Sequence, residues 1–160
     1  MLAPGDTAPD FTLPLDDGTS FHLAEHRDRF VVLFFYPQDD TQGCTKQNIE
    51  FSALEPEFAG AGAILLGISP DSVGKHRKFR SKHELTVALA ADPDRSVIER
   101  FGVWQPKRLY GREFMGLVRT TFIIGPDGRI AAVLRATRVA GHAQKVLDLL
   151  KSLQAASPES

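Results

Sequence analysis

The stretch Phe30-Val-Val-Leu-Phe-Phe-Tyr36, followed by Pro37-Gln-Asp-Asp-Thr41-Gln-Gly-Cys44, decides the fold of this chain of 160 residues. Its first seven residues are β-branched, aromatic or leucine, which is typical of a buried strand. Proline ends that strand, and the polar residues after it are types that cap helices. A helix is predicted from about Gly43 to Phe58. Cys44 therefore lies in its first turn, where free backbone N–H groups and the helix dipole favour an anion.

Cys44 is the only cysteine, so the chain can form neither an internal disulfide nor a cysteine zinc site. A free cysteine has a pKa near 8.5, which leaves only a few per cent as thiolate at neutral pH. Lowering such a pKa to about 6 takes about 3.4 kcal/mol. A helix N-terminus supplies only about 0.3 to 2 kcal/mol. We therefore expect a cation from another strand end, and Arg119, which begins a predicted strand, is the candidate. The alternative is that Arg119 is an ordinary surface charge.

The rest of the chain alternates predicted strands with helices and closes in the order β-β-α. This order predicts an α/β fold of the thioredoxin type, with a central mixed β-sheet flanked by helices and an N-terminal β-hairpin. The Asp-Gly pair at 17–18 marks the hairpin turn. Residues 1–154 are expected to form one domain, and 155–160 a flexible tail. The hairpin strands are predicted at 11–15 and 19–23, the other strands at 63–68, 86–90, 119–124 and 129–134, the later helices at 72–82, 92–101 and 141–153, and a loop or hairpin at 105–115.

The composition excludes several classes of protein. With 42% hydrophobic and 24% charged residues, the chain is globular rather than disordered. A net charge of −1 gives no general attraction to nucleic acid or to anionic membranes. The N-terminus lacks the features of a signal peptide, and the longest apolar run is too short to span a membrane. One reduced cysteine and no leader predict a cytoplasmic location. None of the five histidines lies in a metal-binding motif, so we expect no metal and no cofactor.

The residues up to Cys44 resemble the signature of the peroxiredoxins, P-x-x-x-T-x-x-C, which is complete as Pro37, Thr41 and Cys44. Further motifs, in the same order and spacing, are similar to those of the bacterioferritin-comigratory-protein, or peroxiredoxin Q, subfamily. The similarity covers about residues 3–153. The motifs are Ala8-Pro-Asp-Phe11, Gly67-Ile-Ser-Pro-Asp-Ser72, Phe101-Gly-Val-Trp104, Tyr110-Gly-Arg-Glu-Phe-Met-Gly116, Arg119-Thr-Thr-Phe122 and Gly141-His142.

The resemblance implies a thioredoxin-like fold and a thiol-dependent peroxidase acting on hydrogen peroxide and small alkyl hydroperoxides. It implies that Cys44 attacks the peroxide and becomes a sulfenic acid, the first step of thiol oxidation. Thr41 would hydrogen-bond the peroxide and orient it, and Pro37 would shield the thiolate from water. Arg119 would favour the thiolate and stabilise charge as the O–O bond breaks.

The sequence departs from the subfamily where many members carry a second, resolving cysteine, because that position is Ile49. The resemblance therefore implies a one-cysteine protein whose sulfenic acid is reduced by an external thiol. Thioredoxin, glutaredoxin with glutathione, and another low-molecular-weight thiol all remain open, as does a monomer or a weak homodimer. Over-oxidation to sulfinic acid is an expected liability. A second hypothesis is a redox sensor or relay that passes oxidation to a partner without efficient turnover. A disulfide oxidoreductase is disfavoured because Gln47 stands where C-x-x-C needs its second cysteine.

Several other features have ordinary structural interpretations. The basic stretch 75–83 is expected to be a solvated helix face rather than a nucleic-acid or acidic-partner surface. Its two histidines, His76 and His83, are both expected to be exposed. Asp39 and Asp40 are expected to be turn and capping residues whose charges point outward, because a carboxylate close to the thiol would oppose its ionisation.

Aromatic and apolar side chains around the predicted site leave further choices open. Tyr36 and Phe114 either line a peroxide pocket or pack in the core. The helix that begins near Cys44 is predicted to bury one apolar side, formed by Ile49, Ala53, Leu54 and Phe58.

Overall fold

The structure, a computed structural model, describes residues 1–156, and its centre is a five-stranded mixed sheet of order β5-β4-β3-β8-β9. Strands β3, β4 and β5 run parallel, while β8 is antiparallel to β3 and β9 is antiparallel to β8. This sheet, with helices on both faces, confirms the predicted thioredoxin-like α/β class. The strands are β1 (Thr12–Pro14), β2 (Ser20–His22), β3 (Val31–Phe35), β4 (Ile64–Ser69), β5 (Ala88–Ala91), β6 (Trp104–Leu109), β7 (Arg112–Leu117), β8 (Thr120–Ile124) and β9 (Ile130–Arg135).

Strand β3 lies in the middle of the sheet, and all five of its residues are buried. Its side chains alternate between two hydrophobic clusters, as strand geometry requires. Leu33 and Phe35 join the cluster that contains β1, β2 and the short helix α3. Val32 and Phe34 join the cluster that contains α1, α2 and α4. A continuous apolar run is thus what a strand covered on both faces needs.

In the described part of the chain, four α-helices cover the sheet: α1 (Gln42–Gly60), α2 (Val73–His83), α3 (Ser96–Arg100) and α4 (His142–Ala156). Helix α4 extends through Ala155 and Ala156, which were predicted to belong to the flexible tail, and residues 157–160 lie outside the described part of the chain. Helix α3 is shorter than predicted because Arg95 adopts a left-handed conformation and the helix begins only after it. No helix within residues 1–156 is long and apolar enough to cross a membrane.

Two predicted hairpins are present. Strands β1 and β2 pair antiparallel around the Asp-Gly turn. The segment predicted as a loop or hairpin at 105–115 is a hairpin, with β6 and β7 joined by Tyr110 and Gly111. Both of these residues have positive φ, 52° and 76°, which is the backbone of a two-residue hairpin turn whose twist matches the strands.

The buried side of α1 agrees with the prediction at Phe58 but not at Ile49 or Ala53. Cys44, Gln47, Asn48, Phe51 and Phe58 are its buried residues, whereas Ile49 is 45% exposed. Ala53 is also exposed and Leu54 is half-buried. The first two turns of α1 bury the polar side chains of Gln47 and Asn48 beside Cys44, so apolar spacing does not identify the buried side in this half of the helix.

Gly67 of β4 lies where the ring of Phe34 crosses the neighbouring strand, and a Cβ atom there would be 2.7 Å from its Cζ and 3.2 Å from Leu89 Cδ2. Both neighbours are fully buried and cannot move aside easily. We expect Gly67→Ala to lower the free energy of unfolding by about 1–3 kcal/mol through overpacking. Urea denaturation measures this loss. The control is Gly60→Ala, where a Cβ meets nothing within 4 Å and stability should not fall; equal stability of both variants would contradict the prediction.

Candidate active site

The candidate site lies at one edge of the sheet, where β3 ends and β8 begins. Because these strands are antiparallel, with Phe35 paired to Thr120, the residue before β8 lies beside the end of β3. That residue is Arg119, and the chain after β3 turns into the N-terminal end of α1, which carries Cys44. The predicted convergence of Cys44 and Arg119 at one edge therefore follows from the sheet topology.

The guanidinium of Arg119 reaches the first turn of α1. Its Nη2 lies 3.3 Å from the position that a Cβ atom would occupy on Gly43. Its Nη1 donates a hydrogen bond to Oε1 of Gln47, at 2.5 Å. Arg119 is half-buried rather than freely solvated, which favours a role in the site over that of an ordinary surface charge. Glycine at position 43 leaves room for the guanidinium to approach the helix backbone next to Cys44.

Cys44 itself is fully buried, with no exposed surface. Its carbonyl accepts a hydrogen bond from Nδ2 of Asn48 at 3.0 Å. Sequence reasoning missed Gln47 and Asn48, although their positions three and four residues after Cys44 put them on its side of the helix. Nε2 of Gln47 and Oδ1 of Asn48 are buried and lack hydrogen-bond partners within the described residues. Unused polar groups of this kind are costly in a core and are common at sites that bind a polar ligand.

Thr41 is the residue that caps α1, but its side chain does not bond to the helix backbone. Its Oγ1 donates instead to the carbonyl of Gln38, at 2.9 Å. The hydroxyl hydrogen is thereby committed, and the lone pairs of Oγ1 remain available to accept a hydrogen bond. Pro37 is half-buried in the same loop, directly after β3.

A second cation, Lys107 of β6, lies within electrostatic reach of the site, and no local pattern in the sequence pointed to it. Burial lowers the pKa of Lys107, the positive charges of Arg119 and Arg135 lower it further, and charge on Cys44 opposes them. The aliphatic part of Lys107 packs over Gly116, with its Cδ atom 2.8 Å from where a Cβ would lie. Phe114, which is paired to Lys107 across the hairpin, is 47% exposed.

The predictions that Asp39 points outward and that His76 is exposed are wrong. Asp39 is 3% exposed, and His76 has no exposed surface. The Asp39 carboxylate accepts a hydrogen bond from the Tyr36 hydroxyl at 2.6 Å and faces Nδ1 of His76 at 2.6 Å. Burial, followed by the charge of Asp39, raises the pKa of Tyr36 well above its ordinary value. Tyr36 is therefore a core residue tied to the loop rather than part of a pocket wall.

The structure agrees better with the predictions for Asp40 and for the basic stretch of α2. Asp40 is exposed and forms ion pairs with Lys82 and His83, of which His83 is partly covered. Slightly earlier on α2, Arg80 pairs with Asp16. The basic stretch of α2 thus uses these charges in contacts within the chain, which favours the interpretation as an ordinary helix face.

His142 begins α4 beside the site, where its Nε2 lies 2.8 Å from Oγ1 of Thr121. Burial, with the charges of Lys145 and Arg119, lowers its pKa from 6.5 to about 4. Below about pH 6.5 the unfolded chain binds a proton at His142, whereas the native state binds it only near pH 4. Protonation therefore favours the unfolded state between these values, and the free energy of unfolding decreases as the pH falls from 6.5 to 4. The shift corresponds to about 3 kcal/mol.

We expect the free energy of unfolding to fall between pH 7 and pH 4.5 by about 2–3 kcal/mol less in His142→Gln than in the wild type. Urea denaturation at the two pH values measures both slopes. Because the other titrating groups are common to the two proteins, parallel curves would show that His142 does not carry this pH dependence.

Comparison with known proteins places this geometry in a family. The model of the AhpC/TSA family matches residues 4–133. The chain is 38% identical to peroxiredoxin Bcp of Bacillus subtilis over 149 residues, which cover 93% of this chain and 95% of the relative. It is 41% identical to peroxiredoxin Bcp of Xanthomonas campestris, covering 89% of each chain.

Similar solved structures come from the same group of proteins as these relatives. A structure of the bacterioferritin comigratory protein of Xanthomonas campestris, which addresses the alkyl peroxide reduction activity of that protein, has a TM-score of 0.86 and 38% identity, covering 96% of this chain and 97% of that one. A mutant of PrxQ from Xylella fastidiosa has a TM-score of 0.90 and 35% identity, covering 96% and 98%. This chain therefore belongs to the AhpC/TSA family, in the Bcp or peroxiredoxin Q subfamily of thiol-dependent peroxidases, as a member with a single cysteine.

Proposed function

We propose that this chain reduces hydrogen peroxide and small alkyl hydroperoxides through Cys44. The thiolate sulfur attacks the terminal oxygen of the hydroperoxide, and the O–O bond breaks. The leaving oxygen takes a proton and departs as water or an alcohol, while Cys44 becomes a sulfenic acid. The sulfur is oxidised and the peroxide is reduced, so the electrons balance within this step.

The observation that carries the proposal is the position of Arg119 over the first turn of α1. Its guanidinium lies against Gly43, next to Cys44, and is held there by Gln47. A fixed positive charge at this place favours the thiolate over the thiol and stabilises the negative charge that develops on the peroxide oxygens. Because Gln47 is neutral, it holds the guanidinium in place without offsetting its positive charge.

Thr41 and Pro37 complete the proposed peroxide site. With its own hydrogen directed to Gln38, the Thr41 hydroxyl can accept the hydrogen of the hydroperoxide O–H group and so turn the terminal oxygen toward the sulfur. Pro37 has no N–H group and covers part of the loop with an apolar ring, which reduces the access of water to the thiolate.

Turnover requires a thiol from outside the chain, because the chain has no second cysteine. That thiol attacks the sulfenic sulfur, water leaves, and a mixed disulfide forms; a second thiol then releases Cys44. Thioredoxin, glutaredoxin with glutathione, and another small thiol are all compatible with this chemistry. If reduction is slow, a second peroxide converts the sulfenic acid to sulfinic acid. A cytoplasmic location and a monomer or weak homodimer remain predictions.

The test is the second-order rate of Cys44 oxidation by hydrogen peroxide, followed by rapid quench and intact mass, with Cys44→Ser as the control that lacks the reacting thiol. A rate orders of magnitude above that of free cysteine supports the proposal, and a rate equal to that of free cysteine contradicts it. The same protein, supplied with hydrogen peroxide and each thiol system in turn, separates the two functions. Sustained peroxide consumption supports the enzyme, whereas a mixed disulfide that does not turn over supports the sensor or relay.

We expect Thr41→Val to slow Cys44 oxidation by about 100-fold, because the peroxide loses a hydrogen-bond partner that orients it. Stopped-flow or rapid-quench rates measure this loss. Thr41→Ser keeps the hydroxyl and should retain most of the rate. If Thr41→Val reacted as fast as Thr41→Ser, the hydroxyl would have no part in the step.

A further inference from the structure

The loop between β3 and α1 is attached to α2 through a buried polar network. The carboxylate of Asp39 contacts both the hydroxyl of Tyr36 and Nδ1 of His76, each at 2.6 Å. The backbone N–H of Asp39 donates to Oδ2 of Asp71, which also accepts from the hydroxyl of Ser69. These contacts join the loop to the residue after β3, to the end of β4 and the segment after it, and to the first half of α2, although none of them touches Cys44.

His76 and Asp39 share a proton. Nε2 of His76 lies 3.0 Å from the carbonyl of Ala90, which can only accept, so Nε2 carries a hydrogen. Nδ1 lies 2.6 Å from Oδ2 of Asp39, and two lone pairs at that distance would repel each other. One proton therefore lies between them, whichever atom holds it. With side chains 0% and 1% exposed, no water can replace this contact if it breaks.

Asp40, the residue after Asp39, has a backbone conformation that needs support from surrounding contacts. Asp40 has φ of 62°, in the left-handed region that costs energy for a residue other than glycine. It is followed directly by Thr41, which caps α1. A strained conformation persists only where surrounding contacts hold it, and Asp40 is held from outside by Lys82 and His83 and from inside by the anchored backbone of Asp39.

We propose that Asp39, His76 and Tyr36 are positioning residues for the peroxide reaction: they fix the loop that carries Pro37 and Thr41 and keep the first turn of α1 closed over Cys44. This inference rests on the function proposed above. Because Cys44 has no exposed surface, alkylation of its sulfur by an added reagent requires this turn to open, so the alkylation rate reports how firmly the network holds the turn.

Two substitutions at Asp39 separate hydrogen bonding from loss of the side chain. In Asp39→Asn, the amide oxygen still accepts from Tyr36, and the amide N–H donates to Nδ1 of a neutral His76 whose Nε2–H still reaches Ala90. The loop stays anchored without the shared proton. In Asp39→Ala, the hydroxyl of Tyr36 and Nδ1 of His76 both lose their partner.

The experiment compares these variants with the wild type by two rates. The first is oxidation of Cys44 by hydrogen peroxide, and the second is its alkylation by iodoacetamide, a neutral reagent, at a pH where that rate has reached its plateau. The control is Arg80→Ala, which removes a different polar anchor of α2, to Asp16 and to the carbonyls of Leu85 and Val87, away from the loop.

Asp39→Ala should slow oxidation at least about tenfold, because misplacing a reacting group by a fraction of an ångström has effects of this size. It should also speed alkylation several-fold, because the turn opens more often. Asp39→Asn and Arg80→Ala should stay close to the wild type in both rates. A general loss of stability also exposes Cys44 through unfolding, so the free energies of unfolding of Asp39→Ala and Arg80→Ala are measured as well, and Arg80→Ala shows how much of each rate change a loss of stability away from the loop produces.

The proposal is overturned if Asp39→Ala changes neither rate, changes both in the same direction, or matches Arg80→Ala, or if Asp39→Asn behaves like Asp39→Ala. Should Asp39→Ala fail to fold by circular dichroism, Tyr36→Phe, which removes one hydroxyl from the network, is judged by the same opposite changes. If the wild type reacts with peroxide no faster than free cysteine, the proposed function fails, whereas the alkylation rates still test the network.

Discussion

Replacing Arg119 with alanine should slow the oxidation of Cys44 by hydrogen peroxide about 1000-fold. Two losses combine in this number. The thiolate becomes less abundant at neutral pH once the cation beside the first turn of α1 is gone. The peroxide oxygens also lose the charge that stabilises them while the O–O bond breaks, and removing one such group typically costs about 100- to 1000-fold.

Rapid-quench rates measured from pH 5 to pH 10 test this prediction, because the two losses differ in their pH dependence. Loss of thiolate moves the rise of the rate to higher pH, whereas loss of transition-state stabilisation lowers the plateau at high pH. We expect both changes in Arg119→Ala. A variant with an unchanged profile would show that another group supplies the charge, and Lys107 would then be the next candidate.

Two controls make the role of the guanidinium specific. Arg119→Lys keeps a positive charge but lacks the planar fork that binds Gln47 while facing Gly43, so we expect an intermediate rate. Arg135→Ala removes an exposed arginine at the end of β9, and its rate should remain near that of the wild type. If Arg135→Ala slowed the oxidation of Cys44 as much as Arg119→Ala, the rate would depend on the general positive charge of this surface rather than on the position of the Arg119 guanidinium.

The central part of the fold could be predicted from the sequence because its signals are local. The apolar run at 30–36 forms β3, and the Asp-Gly pair forms the β1–β2 turn. The amphipathic spacing of Val146, Leu147 and Leu150 is the buried side of α4. Each of these patterns reports burial or turn geometry within a few residues, which is the range over which backbone preferences act.

The sequence predicted less of the surroundings of Cys44, because polar side chains there depend on partners far along the chain. The buried carboxylate of Asp39 has a local partner in Tyr36, but its other partner is His76, 37 residues later. Gln47 is buried because Arg119, 72 residues later, binds its amide oxygen. Asp39 and Gln47 are residue types that usually lie on the solvated surface. Only the tertiary fold brings each of them the partner that makes its burial favourable.

The second large effect is expected on the free energy of unfolding, when Phe51, which packs α1 against the sheet, is replaced. The ring of Phe51 is fully buried and stacks on Phe34 with ring centroids 4.2 Å apart. Its edge contacts His142 of α4, with centroids 6.0 Å apart. Phe51 lies two turns after Cys44 on the buried side of α1, so it fixes the helix that carries the proposed catalytic thiol.

We expect Phe51→Ala to lower the free energy of unfolding by about 3–5 kcal/mol, because it removes a large buried ring and leaves a cavity that β3 and α4 cannot fill without moving. Urea denaturation followed by circular dichroism measures the loss. The matched control is Phe114→Ala, which removes the same ring from a half-exposed position on β7 and should change stability by no more than about 0.5 kcal/mol. Similar losses in both variants would mean that stacking between α1 and β3 is not what secures this helix.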